Sequence, residues 1–263
     1  MIIARQEKLL NFIIKEYVKT AKPVGSALVA KRGGFELSPA SLRSEMYELE
    51  KAGYLSHLHT SGGRVPTDKA YRHFVNNLIQ NDDFEPATDE KRKIRMAINS
   101  TDNPRRLNQN IARALSNLSD NIVITNILDP APNLSADRHS EKGRVWSGAG
   151  DSDFYKVGLA SLVEFPEFKE IERVFEMTNL FDRFELMFSR IEKYFLSQLE
   201  DEFNILIGSE NPLDHIKNET MILAKYDLPD NLRGSLTMIG PTRMNYERNI
   251  GLVRYAVNEL NKI

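Results

Sequence analysis

A chain of 263 residues, 41% hydrophobic and 27% charged, is long enough for two domains that each bury a core. It has no cysteine, which excludes disulfides, thiolate metal sites and cysteine nucleophiles. Its net charge of −2 hides a basic head: residues 1–80 hold 12 Lys and Arg against 7 Asp and Glu, and the remainder holds 23 against 30. Mean hydropathy is −0.41, no apolar run approaches the roughly 20 residues of a membrane span, and the N-terminus turns charged at Arg5 with no apolar leader segment. The sequence therefore reads as cytoplasmic, with no membrane partner. A basic head on an acidic body suits a polyanionic partner.

In chain order, residues 4–19 read as a helix, with Leu9, Leu10, Ile13, Tyr17 and Val18 on one stripe and Phe12 and Ile14 broadening it. Lys22-Pro23-Val24-Gly25 breaks it, and Ser26 reads as the N-cap of a short helix over 27–32 that Gly33-Gly34 stops. Ser38-Pro39 is a stronger start: serine accepts the orphan amides of the first turn, and proline at the first helical position has no N–H to waste. That helix runs to Lys51 or Ala52, with Gly53 placed to end it. Residues 54–59 alternate as a strand, 60–63 turn, 64–66 return, and Thr67-Asp68 opens a helix reaching Ile79.

Polar residues follow, giving a domain at 1–80, a linker at 81–90 and a second domain at 91–263. Helical patterns cover 89–99 and 104–118, and an apolar strand 122–128. Residues 129–153 read as a long loop, and 165–203 as aromatic and helical. The tail offers strands at 203–207, 221–224 and 235–239 and a last helix over 246–261. In the aromatic stretch Phe181, Phe184, Phe188, Ile191 and Phe195 recur at helical spacing, flanked by Leu180, Met187 and Leu199. Such a stripe packs on the body's own sheet or, alternatively, forms a helix–helix dimer seam.

Three helices followed by a strand–turn–strand is the order of a winged helix-turn-helix, in which the third helix enters the DNA major groove. At 100° per residue, Leu42, Met46 and Leu49 fall on one face. Ala40, Ser44, Tyr47 and Lys51 fall opposite, with Ser41 and Arg43 on the flanks. Ser38, Ser41 and Ser44 suit phosphates or base edges, Arg43 a guanine or a phosphate, and Lys51 a phosphate. Lys31 and Arg32, ending the second helix, suit the DNA backbone. The ribbon adds His59, Thr60, Ser61 and Arg64 around a glycine tip. His57 and His59 share a strand face, but no third ligand lies near them in sequence, so they read as exposed wing residues and no metal or cofactor is expected.

At this point several segments resemble the heat-inducible (HrcA-type) repressors. Tyr17-Val18-Lys19-Thr20-Ala21-Lys22-Pro23-Val24-Gly25-Ser26 is similar to that family's exit from its first helix. Leu37-Ser38-Pro39-Ala40-Ser41-Leu42-Arg43-Ser44-Glu45-Met46 is similar to its recognition helix. His59-Thr60-Ser61-Gly62-Gly63-Arg64-Val65-Pro66-Thr67-Asp68-Lys69, followed by Tyr71-Arg72, resembles its wing. Gly158-Leu159-Ala160-Ser161-Leu162 with Phe165-Pro166-Glu167-Phe168 resembles its middle landmark. The run from Ile207 to Pro212 and that from Ile239 to Arg248 are similar to its C-terminal segments.

The resemblance implies an α+β protein: a winged helix-turn-helix, then a GAF-like mixed α/β domain with a long helical segment. It also implies a homodimer on an inverted-repeat operator of double-stranded DNA upstream of chaperone genes, a link to the GroE-type chaperonin, and inactivation by heat. Two departures stand out. Ser41 and Ser44 replace the family's usual threonine and asparagine, and only residues 130–155 occupy the place of a much longer segment. The inserted dimerising domain is accordingly reduced or absent. A body that senses a small metabolite is the alternative reading, decided by a pocket with convergent polar groups. No nucleophile elbow, P-loop, dinucleotide-binding glycine motif or metal-spaced histidine helix argues for an enzyme.

Overall fold

The first helix, α1 (Ala4–Thr20), buries Leu9, Leu10, Ile13 and Ile14. The computed structural model describes residues 2–57, 63–81, 84–128, 154–162, 164–198, 203–212, 216–229 and 232–263, and for 185–198 the backbone alone. α2 (Ser26–Arg32) and α3 (Pro39–Lys51) follow. Ser26 is not the N-cap of α2: it is the first helical residue and is buried, and Gly25 caps the helix with extended backbone. α3 starts as its sequence predicts, on Ser38 with Pro39 next, and Gly53 beyond its end takes a left-handed φ of +79°.

Among the described residues of the ribbon, β1 (Leu55–Ser56) and β2 (Val65–Pro66) pair, antiparallel; residues 58–62 lie outside the described residues. The segment that breaks α1 adds a rung beside them. Val24 and Arg64 exchange both backbone hydrogen bonds at 2.8 Å, with Val24 wholly buried. α4 (Asp68–Asn81) then buries Ala70, Tyr71, Phe74 and Val75.

Beyond it lie α5 (Thr88–Ile98), α6 (Pro104–Ser119) and β3 (Ile122–Leu128). β4 (Tyr155–Val157) and the short α7 (Leu159–Leu162) come next, then α8 (Ile171–Gln198). The chain closes with β5 (Phe203–Ile207), β6 (Glu219–Leu228), β7 (Leu232–Pro241) and α9 (Tyr246–Leu260). Tyr155, the last residue of the 130–155 segment, begins a strand on the sheet edge; residues 129–153, read as a long loop, lie outside the described residues. β6 and β7 outrun the apolar cores that mark them in sequence, and β7 pairs with β3 as far as Arg233. Phe165 to Glu170 precede α8 as a 3-10 turn (Pro166–Lys169) and its flanks.

The strands form one mixed α/β body with a five-stranded sheet in the order β4-β3-β7-β6-β5, in which β3 pairs antiparallel with both neighbours. On one face, Thr125 donates to the Asn108 carbonyl of α6 at 3.2 Å, and Arg113 of α6 donates to the Tyr155 hydroxyl at 2.5 Å. On the other face Lys156 lies over the Phe181 ring, 5.4 Å from its centroid, and Phe154 meets Phe184 edge-on at 6.3 Å. Leu180 and Phe184 are buried, so the described part of the aromatic stripe packs on the chain's own sheet. Met187, Phe188, Ile191, Phe195 and Leu199 lie outside the described side chains. Among the described residues no helix is long and apolar enough to cross a membrane.

The chain divides into two compact units, and neither is continuous in sequence. One joins Met1–Phe84 to Leu206–Thr220 and Pro241–Asn249; the other holds Glu85–Ile205, Met221–Gly240 and Ile250–Ile263. Inside the first unit, Asp68 accepts from the Ser209 amide and hydroxyl, both at 2.9 Å, and Arg72 makes a two-pronged ion pair with Glu210. Arg243 donates to the Val18 carbonyl at 3.0 Å, and Lys15 pairs with Glu247 at 2.7 Å. The Tyr71 and Tyr246 rings lie 5.6 Å apart. Burial pushes the Tyr246 phenol above its ordinary pKa, so it stays neutral, shares a hydrogen bond with the Thr220 hydroxyl and donates to the Thr242 carbonyl.

Gly208 has a φ of +53°, and a Cβ there would sit 2.3 Å from the Asp68 carboxylate. Gly208→Ala is therefore expected to lower stability by about 2 kcal/mol through backbone strain and to break the Asp68–Ser209 bonds. Denaturant melts of the two proteins check this, and an unchanged midpoint refutes it.

Candidate nucleic-acid interface

α3 is positioned by its buried side. Leu42, Met46 and Leu49 are each at most 4% exposed, packed where α3 meets α1 and α2. The start of the helix is fixed by Ser38, whose Oγ accepts from the Ser41 amide at 3.1 Å and lies 3.0 Å from the Ser41 hydroxyl. Rotation and start together decide what faces outward. Ser38, Ala40, Ser41, Arg43, Ser44, Tyr47 and Lys51 are all exposed, Tyr47 by 56%. All seven candidates are thus accessible, Ser38 as the cap of α3 and the other six on the helix away from its buried face.

The cations of this unit differ in how they are engaged. Arg5 pairs with Glu45, Arg32 with Glu16 at 2.9 Å and Lys15 with Glu247. Lys69 donates to the Ala52 carbonyl at 2.7 Å, at the C-terminus of α3, and lies over the Tyr54 ring. Among the described residues, Lys31, Arg43 and Lys51 have no ion-pair or hydrogen-bond partner. Exposed cations that are not held in an ion pair are available to an incoming anion.

The wing candidates divide. His59, Thr60 and Ser61 lie outside the described residues. Arg64 is half-buried and turned inward: its Nε lies 2.7 Å from Glu50 Oε2, an ion pair outside hydrogen-bond alignment. The other oxygen of Glu50 meets His57 Nδ1. One carboxylate of α3 therefore holds both strands of the ribbon. Thr67 closes the ribbon's base, donating to the Gly53 and Tyr54 carbonyls and accepting from the Ala70 amide.

Sequence reasoning passed over two participants. Glu50 appears as an ordinary helix glutamate until the ribbon is seen beside it. Glu48 is exposed on the outer side of α3, among the candidate contacts. Its place was available from the same 100° projection that placed Ser44 and Lys51.

The family model for the HrcA protein C-terminal domain matches residues 73–250. The heat-inducible transcription repressor HrcA of Desulforudis audaxviator is 26% identical over 337 residues, covering 98% of this chain and 97% of that protein. Its namesake from Thermodesulfovibrio yellowstonii is 26% identical over 346 residues, covering 100% and 98%. Both alignments are longer than the 263 residues of this chain, so each relative carries residues with no counterpart here. A crystal structure of a hypothetical protein at 2.2 Å resolution superposes with a TM-score of 0.77 at 19% identity, covering 100% of this chain and 98% of that one.

A Cβ on Gly63 would lie 2.6–2.7 Å from the backbone of Pro23 and Val24. Gly63→Ala should force the extra rung apart. Amide exchange at Val24 and Arg64 is expected to rise at least tenfold while the Ser41 amide keeps its protection. Equal protection throughout would refute the reading of this glycine.

Proposed function

The chain belongs to the HrcA family, and on that premise we propose that it is a DNA-binding transcriptional repressor of heat-shock (chaperone) genes. It binds an inverted-repeat operator as a homodimer and is released on heat stress. The observation that carries this reading is the outer side of α3: serines at its N-terminus, then Arg43 and Lys51 without carboxylate partners, over a buried Leu42–Met46–Leu49 anchor. In this reading residues 1–80 are a winged helix-turn-helix, 81–90 a linker, and 91–263 a GAF-like regulatory and oligomerisation domain.

The mechanism follows from charge and shape. α3 enters the major groove by its small, polar first two turns, with Ser38, Ala40, Ser41 and Ser44 allowing close approach and Arg43 taking a guanine edge or a phosphate. The α3 N-terminus favours a phosphate beside Ser38. Lys31, Arg32, Tyr47 and Lys51 contact the sugar–phosphate backbone. His59, Thr60 and Ser61 supply the wing contact, and Arg64 supports it from its pair with Glu50. Two copies on half-sites about one helical turn apart block transcription. In this reading the dimer contact does not use a full inserted domain, because the longer relatives carry residues with no counterpart here. A GroE-type chaperonin as second partner and a cytoplasmic location complete the proposal, which calls for no cofactor, metal or catalytic step.

A second reading, a body that senses a metabolite, draws on one observation. Among the described residues Asn126 Oδ1 is buried without a partner, and by register Asn126 stands opposite Ser235 on the sheet face that carries Lys156. A thermal-shift screen with amino acids, nucleosides and organic acids tests it: a stabilising compound should lose its effect on Asn126→Leu, and no shift across the panel rejects it.

For the main reading, footprinting and titration on DNA selected from a random pool are the measurements. Arg43→Ala should weaken binding by about 1–3 kcal/mol with relaxed preference at one base pair. Lys51→Ala should weaken all sequences alike and reduce the salt slope by about 0.9. Wild-type affinity and footprint in both variants would sink this site.

A further inference from the structure

We propose that Glu48 is a specificity-determining residue of α3 that accepts a hydrogen bond from the exocyclic amino group of a cytosine in each operator half-site. The proposal rests on the DNA-binding reading and adds to it a base that the site selects. α3 carries three glutamates, and the structure treats them differently. Glu45 accepts from Arg5 and Gln6 of α1. Glu50 is held between His57 and Arg64 of the ribbon. Glu48 alone of the three is exposed, and among the described residues its side chain has no partner.

Its position is that of a contact residue. By projection Glu48 lies one turn beyond Ser44, about 40° from it around the axis, and on the opposite flank from Arg43. A free carboxylate at that place repels phosphates, so on a phosphate-binding helix it lowers affinity for every sequence that gives it nothing in return. The groove has only two amino donors to offer, adenine N6 and cytosine N4. An ionised carboxylate has acceptors only. At adenine, one oxygen that takes the N6 proton brings the carboxylate against the N7 acceptor beside it. At cytosine the base's own neighbouring edge is C5–H, and the one flanking acceptor is O6 of the paired guanine, whereas adenine N6 has an acceptor on both sides. Charge and donor geometry therefore both select cytosine, and Glu48 penalises guanine and thymine, which present acceptors.

The test is selection from a random DNA pool with the full chain as wild type, Glu48→Ala and Glu48→Gln, each first checked for an unchanged thermal melt. Wild-type winners should carry cytosine at one position per half-site, favoured about tenfold. Glu48→Ala should lose that preference and keep the rest of the consensus. Glu48→Gln should move it towards adenine, whose N6 and N7 suit an amide's acceptor and donor together. The same consensus from wild type and Glu48→Ala, with the variant merely tighter on every sequence, overturns the proposal and leaves the repressor reading standing. A wild-type pool with no enriched sequence defeats the repressor reading and this proposal with it.

Discussion

Burial of Leu42, Met46 and Leu49 fixes the rotation of α3 about its own axis, and the chemistry of its outer side follows from that rotation. Each of these side chains contributes about 1.5–3 kcal/mol on leaving water. Advancing the helix by a single residue turns it by 100°. That would expose this anchor and drive Arg43 and Tyr47 towards the interior, where an uncompensated guanidinium is costly. The Ser38 cap removes the remaining freedom, because the helix cannot slide along its axis without losing the bond to the Ser41 amide. Serines, arginine and lysine are thus presented outward by apolar residues that never meet a partner.

The residues after the ribbon spread this order further. Thr67 ties the ribbon base, Asp68 holds the Ser209 amide, Lys69 satisfies a carbonyl at the end of α3, and Arg72 grips Glu210. Four positions within six residues reach four different places in one unit. A sequence pattern that looks like a wing signature is largely a set of structural ties. Arg64 belongs with them: its pair with Glu50 sets the ribbon's course more directly than it offers charge to a ligand.

Much of this was legible in the sequence because it is local. Ser38-Pro39, Gly53 and the 3.6-residue period of 42, 46 and 49 are decided within one or two turns, and the helices α1, α3, α5 and α6 match their sequence patterns closely. What escaped is non-local or ambiguous. Val24 looks like part of a helix breaker, and only Arg64, forty residues on, makes it a strand rung. Ser26 has the right side chain for a cap, but Gly25 already has the extended backbone the cap position needs. The ties from Asp68 and Arg72 to Ser209 and Glu210 span more than 130 residues, and no periodicity encodes them. At the candidate site, exposure was predictable from projection; the capture of Arg64 by Glu50 was not, since it depends on where the ribbon returns.

On the proposed reading, these long-range ties bear on release by heat. α1 and α4 are held by Arg243, Glu247, Ser209 and Glu210, so the unit that carries α3 is closed by residues that join it only after most of the chain has been laid down. Closing such distant segments costs chain entropy that grows in weight with temperature. Local opening begins where few apolar contacts oppose that entropy, and the Arg72–Glu210 and Asp68–Ser209 ties are polar where the anchor under α3 is aliphatic. Loosening them frees α1 on one flank of the anchor and α4 beyond the ribbon. On the proposed repressor reading, these long-range ties are where heating would begin to loosen the unit that carries α3.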